Sequence, residues 1–207
     1  MKRPLIRSQR LAHGTHDGPE SLCPVPSGSQ RNPQITPFSI PISMPNLQIH
    51  EVTRENWRAA LHLAVHPEQQ RFIADYAPIA ALGLAKAYVR PGGLFWTPYA
   101  IYSDGVMVEF CMLAHAADNT EAVWIYHFFI DYRHQGKGQG RSALCELIVL
   151  IMAQYPNCKQ IRLSVHPENQ RAQRLYTDLG FQSTGEQQDG EPVYCLTRPV
   201  SAPAQRV

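Results

Sequence analysis

The sequence predicts an α+β fold on one central sheet, and three observations carry that reading. Hairpin-linked extended segments crowd the first half of the ordered region. Two amphipathic helices alternate with strands in the second half. Between them, the apolar stretch Phe128-Phe129-Ile130 runs into a glycine-rich loop and then a helix start.

The elements follow in order. Residues 47–52 alternate as a half-buried strand. Thr53 is placed to cap a helix carrying Trp57, Leu61 and Val65 on one face, and Pro67 to end it. A second helical patch covers 79–88, stopped by Pro91-Gly92-Gly93. Extended segments are expected at 99–103, 106–114 and 123–130, the first two joined by Asp104-Gly105, a tight-hairpin signal. After Gly140, Leu144, Leu147, Ile148 and Ile151 recur at helical spacing up to Tyr155-Pro156. Residues 161–165 read as a strand and 169–179 as a helix, with Gly180 at the left-handed position beyond its end. Short strands at 182–186 and 193–197 close the sheet.

The flanks differ in character. Residues 1–45 are rich in Pro, Ser and Gly and poor in large apolar side chains, so they are expected to be a disordered extension. Arg3, Arg7 and Arg10 fit a transit peptide, whereas Asp17 and Glu20 argue against one, and a translation start at Met44 stays open. The domain is placed at 46–199, with a flexible tail at 200–207.

Composition excludes several classes. The 207 residues are 44% hydrophobic, enough for one domain with a core, and no apolar run reaches the roughly 20 residues that span a bilayer. Nineteen Lys and Arg against 17 Asp and Glu leave +2, too balanced for a nucleic-acid partner. Cys23, Cys111, Cys145, Cys158 and Cys195 form no CxxC, so they read as reduced thiols in a cytoplasmic setting. His62 and His66 lie four apart but lack a third ligand, and no metal site is expected.

The chemistry concentrates at Arg133-His134-Gln135-Gly136-Lys137-Gly138-Gln139-Gly140-Arg141. Glycines let a backbone approach an anion, and the first helical N–H groups point at it with the positive end of the helix dipole. Arg133, Lys137 and Arg141 could add charged contacts. The loop is therefore a phosphate cradle. A dinucleotide fingerprint is disfavoured because the next strand ends Ser164-Val165-His166, without an acidic residue. A Walker A loop fails because no Ser or Thr follows Gly136-Lys137 and no glycine precedes them at the required spacing.

Gln135-x-x-Gly138-x-Gly140 after an apolar strand, with Asn169-x-x-Ala172-x-x-Leu175-Tyr176-x-x-Leu179-Gly180-Phe181 downstream, resembles the acyl-CoA signature of the GNAT acetyltransferase superfamily. The narrower pattern of Ile130-Asp131 with Pro167-Glu168-Asn169 is similar to bacterial spermine/spermidine acetyltransferases. The resemblance covers 47–198. It implies a twisted, mostly antiparallel sheet splayed between strands four and five, helices on both faces, and acetyl-CoA as co-substrate. It assigns the backbone of residues 135–141 to the pyrophosphate, Phe128 and Ile130 to the pantetheine arm, Asn169 to a hydrogen bond with that arm, and Tyr176 to protonation of the departing thiolate. Periodicity alone would make Tyr176 a core aromatic.

The acceptor is expected to be a small-molecule amine, a polyamine first; protein amines and amine-bearing antibiotics are alternatives, as is a non-catalytic acyl-CoA sensor. The resemblance leaves room for a homodimer. An ammonium of pKa 10.4 costs about 4.6 kcal/mol to deprotonate at pH 7. Relatives place a base on strand four, where this chain has Trp124 and Tyr126. Alternation puts Trp124, Tyr126 and Phe128 on one face as an acceptor lining, and gives His127 the opposite parity as a packing residue. Glu109, a carboxylate inside an apolar strand, is the candidate base or cation anchor, with a solvent-facing position as the alternative. Asp75, beside Glu68 and Tyr76, is a further candidate for contact with the acceptor.

Overall fold

The computed structural model describes residues 46–73 and 78–198. The extension, the C-terminal tail and the candidates Asp75 and Tyr76 lie outside the described residues. Among these, seven strands form one sheet in the order β1-β2-β3-β4-β5-β7-β6.

The first half is a meander. β1 (Leu47–Glu51), β2 (Phe95–Ser103), β3 (Val106–His115) and β4 (Ala122–Ile130) pair antiparallel in turn. Asp104 and Gly105 join β2 to β3 with φ of 50° and 80°. Two successive positive φ values match the right-handed strand twist, which is why this dipeptide closes so short a turn. β2 begins four residues earlier than the expected 99. Its Pro98 sits opposite Met112, just beyond the last β1 pair, Glu51 with Tyr99. A proline without an N–H is tolerated where a strand runs past its neighbour's end.

The second half crosses over. α3 (Gln139–Gln154) links β4 to β5 (Gln160–Ser164), and these two strands are parallel. Their pairing covers Ala122–Ile125 and then stops; β5 continues against β7 (Glu191–Thr197) while β4 continues only against β3. The sheet is thus splayed between β4 and β5, as the family resemblance implies. α4 (Gln170–Asp178) leads to β6 (Gln182–Gln188), which pairs with β7.

The first helix corrects the sequence reading. α1 spans only Trp57–Ala60 rather than running to Val65. The Leu63 N–H already bonds three residues back, to the Ala60 carbonyl. The Ala64 N–H then donates to Asp131 Oδ2 at 3.0 Å, and its carbonyl accepts from the Tyr132 N–H at 2.8 Å. With both groups held by the loop after β4, the chain cannot continue a helical ladder. Pro67 consequently opens a short 3₁₀ turn, Pro67–Phe72, instead of ending a helix.

Helices cover both faces. α3 supplies Leu144, Leu147 and Ile151 to a core with Cys111, Leu113, Val123 and Ile125. On the other face α2 (Ile79–Val89) brings Ile79 and Ala80, with Ala60 of α1, against Phe110, Met112 and Phe129. Gly83 of α2 faces that second layer so closely that a Cβ there would lie 2.7 Å from Phe110 Cζ and 2.9 Å from Met112 Sδ. Because Phe110 is fully buried, Gly83→Ala should lower stability by about 1–3 kcal/mol despite its better helix propensity, read as a fall in the urea midpoint. No helix among the described residues is long and apolar enough to cross a membrane.

Candidate active site

Two cavities open along the splay. The first, about 440 Å³, runs from Phe128 and Ile130 past Gln135, Gly136, Gly138 and Gly140 to Asn169 and Tyr176. The second, about 260 Å³, adjoins it and is lined by Lys86, Tyr126, His127, Ser164, Gln188, Asp189 and Glu191. Phe128, Asn169 and Tyr176 line both.

The first cavity has the form of an anion cradle. Gly136 and Gly138 have φ of 82° and 75°, and a Cβ on either would meet nothing within 4 Å. The loop therefore requires glycine for its backbone sign and leaves the space in front free for a ligand. Gly140 is there for another reason: its Cβ would lie 2.7 Å from Ile130 Cδ1, so it permits close packing of α3 on β4. The α3 N-terminus opens on the cradle, with Gln139, Gly140 and Arg141 among the lining residues.

Side chains hold that loop. Gln135 and Gln69 exchange amide hydrogen bonds of 2.9 and 3.0 Å, and Gln135 Nε2 also donates to the Ile130 carbonyl at 3.0 Å. The signature glutamine thus closes the strand-to-loop turn. Gln139 likewise turns its side chain inward, donating to Ser103 Oγ at 3.3 Å. Asp131, fully buried, accepts from the Ala64 and Arg133 N–H groups and, through a two-pronged contact, from the Arg133 guanidinium at 2.6 and 3.1 Å. Burial alone would raise this carboxyl, but the bonds from Arg133 and Ala64 outweigh it and hold it below the usual carboxylate range.

That network separates two members of the expected cofactor set from the cavity. Arg133 turns back on Asp131 and does not line the cavity, and Lys137, exposed, does not line it either. Phe128, Ile130, Gln135, Gly136, Gly138, Gln139, Gly140, Arg141 and Asn169 do. Asn169 caps α4, its Oδ1 accepting from the Ala172 N–H at 3.2 Å, so Nδ2 is the end that could meet a ligand carbonyl.

Tyr176 sits where the cavities meet. The end of α4 fixes it: Gly180, at φ 91°, lets the Phe181 N–H fold back onto the Tyr176 carbonyl at 3.0 Å. Burial, with the Glu191 charge adding to it, pushes the phenol well above its ordinary range, so it stays protonated.

The face expected to bind the acceptor departs from simple alternation. Between Met112↔Tyr126 and Phe110↔Phe129, β4 has one residue more than β3. His127 takes up the excess with φ 50°, a left-handed value uncommon outside glycine. The bulge reverses side-chain parity: Tyr126 packs on the α2 side, whereas Phe128 packs against the α3 core. Trp124, Tyr126 and Phe128 therefore do not share a face. Tyr126 lines the second cavity, accepting from Gln188 Nε2 at 2.7 Å. Trp124 lies behind it, stacked at 5.7 Å and covered by the Arg162 guanidinium at 4.8 Å, and lines neither cavity.

Glu109 is also relocated. It is fully buried in β3 between Ile101 and Ile130, lines neither cavity, and its oxygens have no hydrogen-bond partner among the described residues. Burial raises its carboxyl to about 8, so it is neutral at pH 7. The carboxylates of the second cavity are instead Asp189 and Glu191, the latter accepting from Ser164 Oγ at 2.7 Å. They come from the β6–β7 hairpin, whose Asp189-Gly190 turn has φ of 52° and 84°. Asp189-Gly190 is the same kind of signal as Asp104-Gly105, and reading it would have joined these strands and found both acids.

The profile of the Acetyltransferase (GNAT) family matches residues 48–181. Over 146 residues the chain is 35% identical to a spermine/spermidine N(1)-acetyltransferase of Bacillus subtilis strain 168, covering 68% of this chain and 91% of that protein. It is 34% identical over the same length to a probable spermine N(1)-acetyltransferase of Bacillus subtilis subsp. natto, with the same coverage. Among solved structures, aminoglycoside acetyltransferase AAC(6')-Ib in complex with coenzyme A aligns with TM-score 0.60 at 17% identity, covering 73% of this chain and 95% of that one. Spermidine N-acetyltransferase from Vibrio cholerae in complex with CoA and spermine aligns with TM-score 0.55 at 16% identity, covering 72% and 92%. At such identities the structures establish the fold. With the family profile over most of the chain and the curated relatives matched over nearly their whole length, the chain belongs to the GNAT family of N-acetyltransferases.

Proposed function

We propose that this enzyme transfers acetyl from acetyl-CoA to a primary amine of a small polycationic acceptor, by direct attack. One observation carries the reading: a glycine-walled anion cradle and a carboxylate-bearing polar cavity meet at Phe128 and Tyr176. The loop of residues 135–141 would hold the pyrophosphate and Asn169 the pantetheine arm. The Phe128 amide, beside the bulge, would polarise the thioester carbonyl. Asp189 and Glu191 supply the negative charge a polyamine's remote ammonium needs, and the Bacillus relatives carry a spermine or spermidine acetyltransferase name over the matched length. The acceptor ammonium first loses a proton to solvent. Its nitrogen then bonds to the carbonyl carbon as the C–S bond breaks and sheds its second proton, while Tyr176, reprotonated from solvent, protonates the leaving thiolate.

Thiol release from acetyl-CoA, measured with spermine, spermidine, putrescine, lysine peptides and aminoglycosides, tests this. Turnover is expected with the polyamines, and Asp189→Asn should raise their KM about 2- to 5-fold, the loss of one exposed charge contact. Turnover confined to peptides or aminoglycosides would overturn the acceptor assignment. Acetyl-CoA binding without turnover on any of them would leave an acyl-CoA sensor.

A further inference from the structure

The acceptor cavity already contains an amine. Lys86 reaches into it from α2, half-buried, with Nζ 3.0 Å from His127 Nε2. The ammonium lies 4.9 Å from the Trp96 ring centroid and 5.5 Å from that of Tyr126. His127 adjoins Phe128 in β4, and Lys86, Phe128 and Tyr176 line one cavity. A fully exposed lysine is a solvated cation and a poor nucleophile; this one is half-buried. Burial lowers its pKa, with Asp189 opposing part of the effect. Burial and Lys86 together push His127 down to about 4, so the imidazole is neutral and offers its Nε2 lone pair to the amine.

We propose that Lys86 is itself an acyl acceptor: with acetyl-CoA bound and no free amine in the cavity, the acetyl group passes to Lys86 Nζ. This rests on the acetyl-CoA reading above. Lys86 first releases one proton to solvent. Its neutral nitrogen then attacks the thioester carbonyl carbon; a C–N bond forms, the C–S bond breaks, and the sulfur leaves with the bonding pair. The nitrogen sheds its second proton, and the thiolate takes one from Tyr176, which is reprotonated from solvent. The products are an uncharged N-acetyl-lysine and free coenzyme A, with no change of oxidation state.

The chain has four lysines, Lys2, Lys86, Lys137 and Lys159, and the exposed Lys137 and Lys159 serve as internal controls for chemical acetylation. The full chain would be incubated with acetyl-CoA and no amine, sampled over time, and read by intact mass and peptide mapping. One acetyl group per chain is expected, on Lys86, about tenfold or more faster than on Lys137 or Lys159, as positioning of a reacting pair allows. The rate constant should not depend on protein concentration, and Tyr176→Phe should slow it. Lys86→Arg keeps the positive charge over Trp96 and Tyr126 but should abolish the modification. Acetylation at equal rates on all accessible lysines, or none on Lys86 while the same preparation releases CoA with a free amine, would overturn the inference alone. No mass gain and no CoA release with any amine would overturn the reading beneath it.

Discussion

Tyr176→Phe should lower kcat about 10²- to 10⁴-fold, the span removed with one general acid, while the KM for acetyl-CoA changes little. The loss falls on kcat because the hydroxyl matters when the C–S bond breaks and negative charge gathers on sulfur. Burial keeps the phenol protonated across the neutral range, so a proton is always present to give. The ring itself stays useful, packed 5.9 Å from Phe181, and phenylalanine preserves that contact. Steady-state kinetics on the variant, with a melting curve to show that the fold is retained, check the result. An unchanged kcat would return Tyr176 to the core-aromatic role that helical spacing alone indicates.

Glu109→Gln should make the protein more stable at alkaline pH and leave its activity at pH 7 close to wild type. In the folded chain burial holds the Glu109 carboxyl at about 8, whereas the reference value is 4.5. A group whose pKa rises on folding contributes stability that is fully present below the lower value and lost as pH climbs through the higher one. Wild-type stability should therefore decline by about 1.4 kcal/mol per pH unit from this group between pH 4.5 and 8, on the order of 5 kcal/mol in all. Glutamine cannot ionise, so its contribution to that slope vanishes. Urea titrations from pH 5 to 9 would show converging curves at the acid end and a widening gap at the alkaline end. Parallel curves would refute the assignment. A large loss of kcat at neutral pH would return Glu109 to the chemistry, contrary to its position outside both cavities.

Much of the donor side was legible because its requirements are local. Gly136 and Gly138 are dictated by backbone sign and open space, Gly140 by contact with Ile130, and Asn169 by the cap of a helix. Residue type records such constraints directly. The acceptor side was harder to read because it depends on register. An alternating strand offers no sign that His127 absorbs an extra residue, and without the bulge Tyr126 and Phe128 look like neighbours on one face. The length of α1 was illegible for a similar reason: its end is set by Asp131, 67 residues away in sequence, taking the Ala64 N–H. Glu109 stood out correctly as an anomaly among apolar neighbours, but sequence does not tell a fully buried carboxyl from one facing a groove.

The bulge at His127 also divides one strand into two independently variable pieces. Tyr126, ahead of it, answers to the α2 layer and the β6–β7 hairpin; Phe128, behind it, answers to the α3 core. Substitutions that reshape the acceptor pocket can accumulate ahead of the bulge without disturbing the residues assigned to the donor. A deletion at that point would couple the halves again, turning every side chain beyond it to the opposite face.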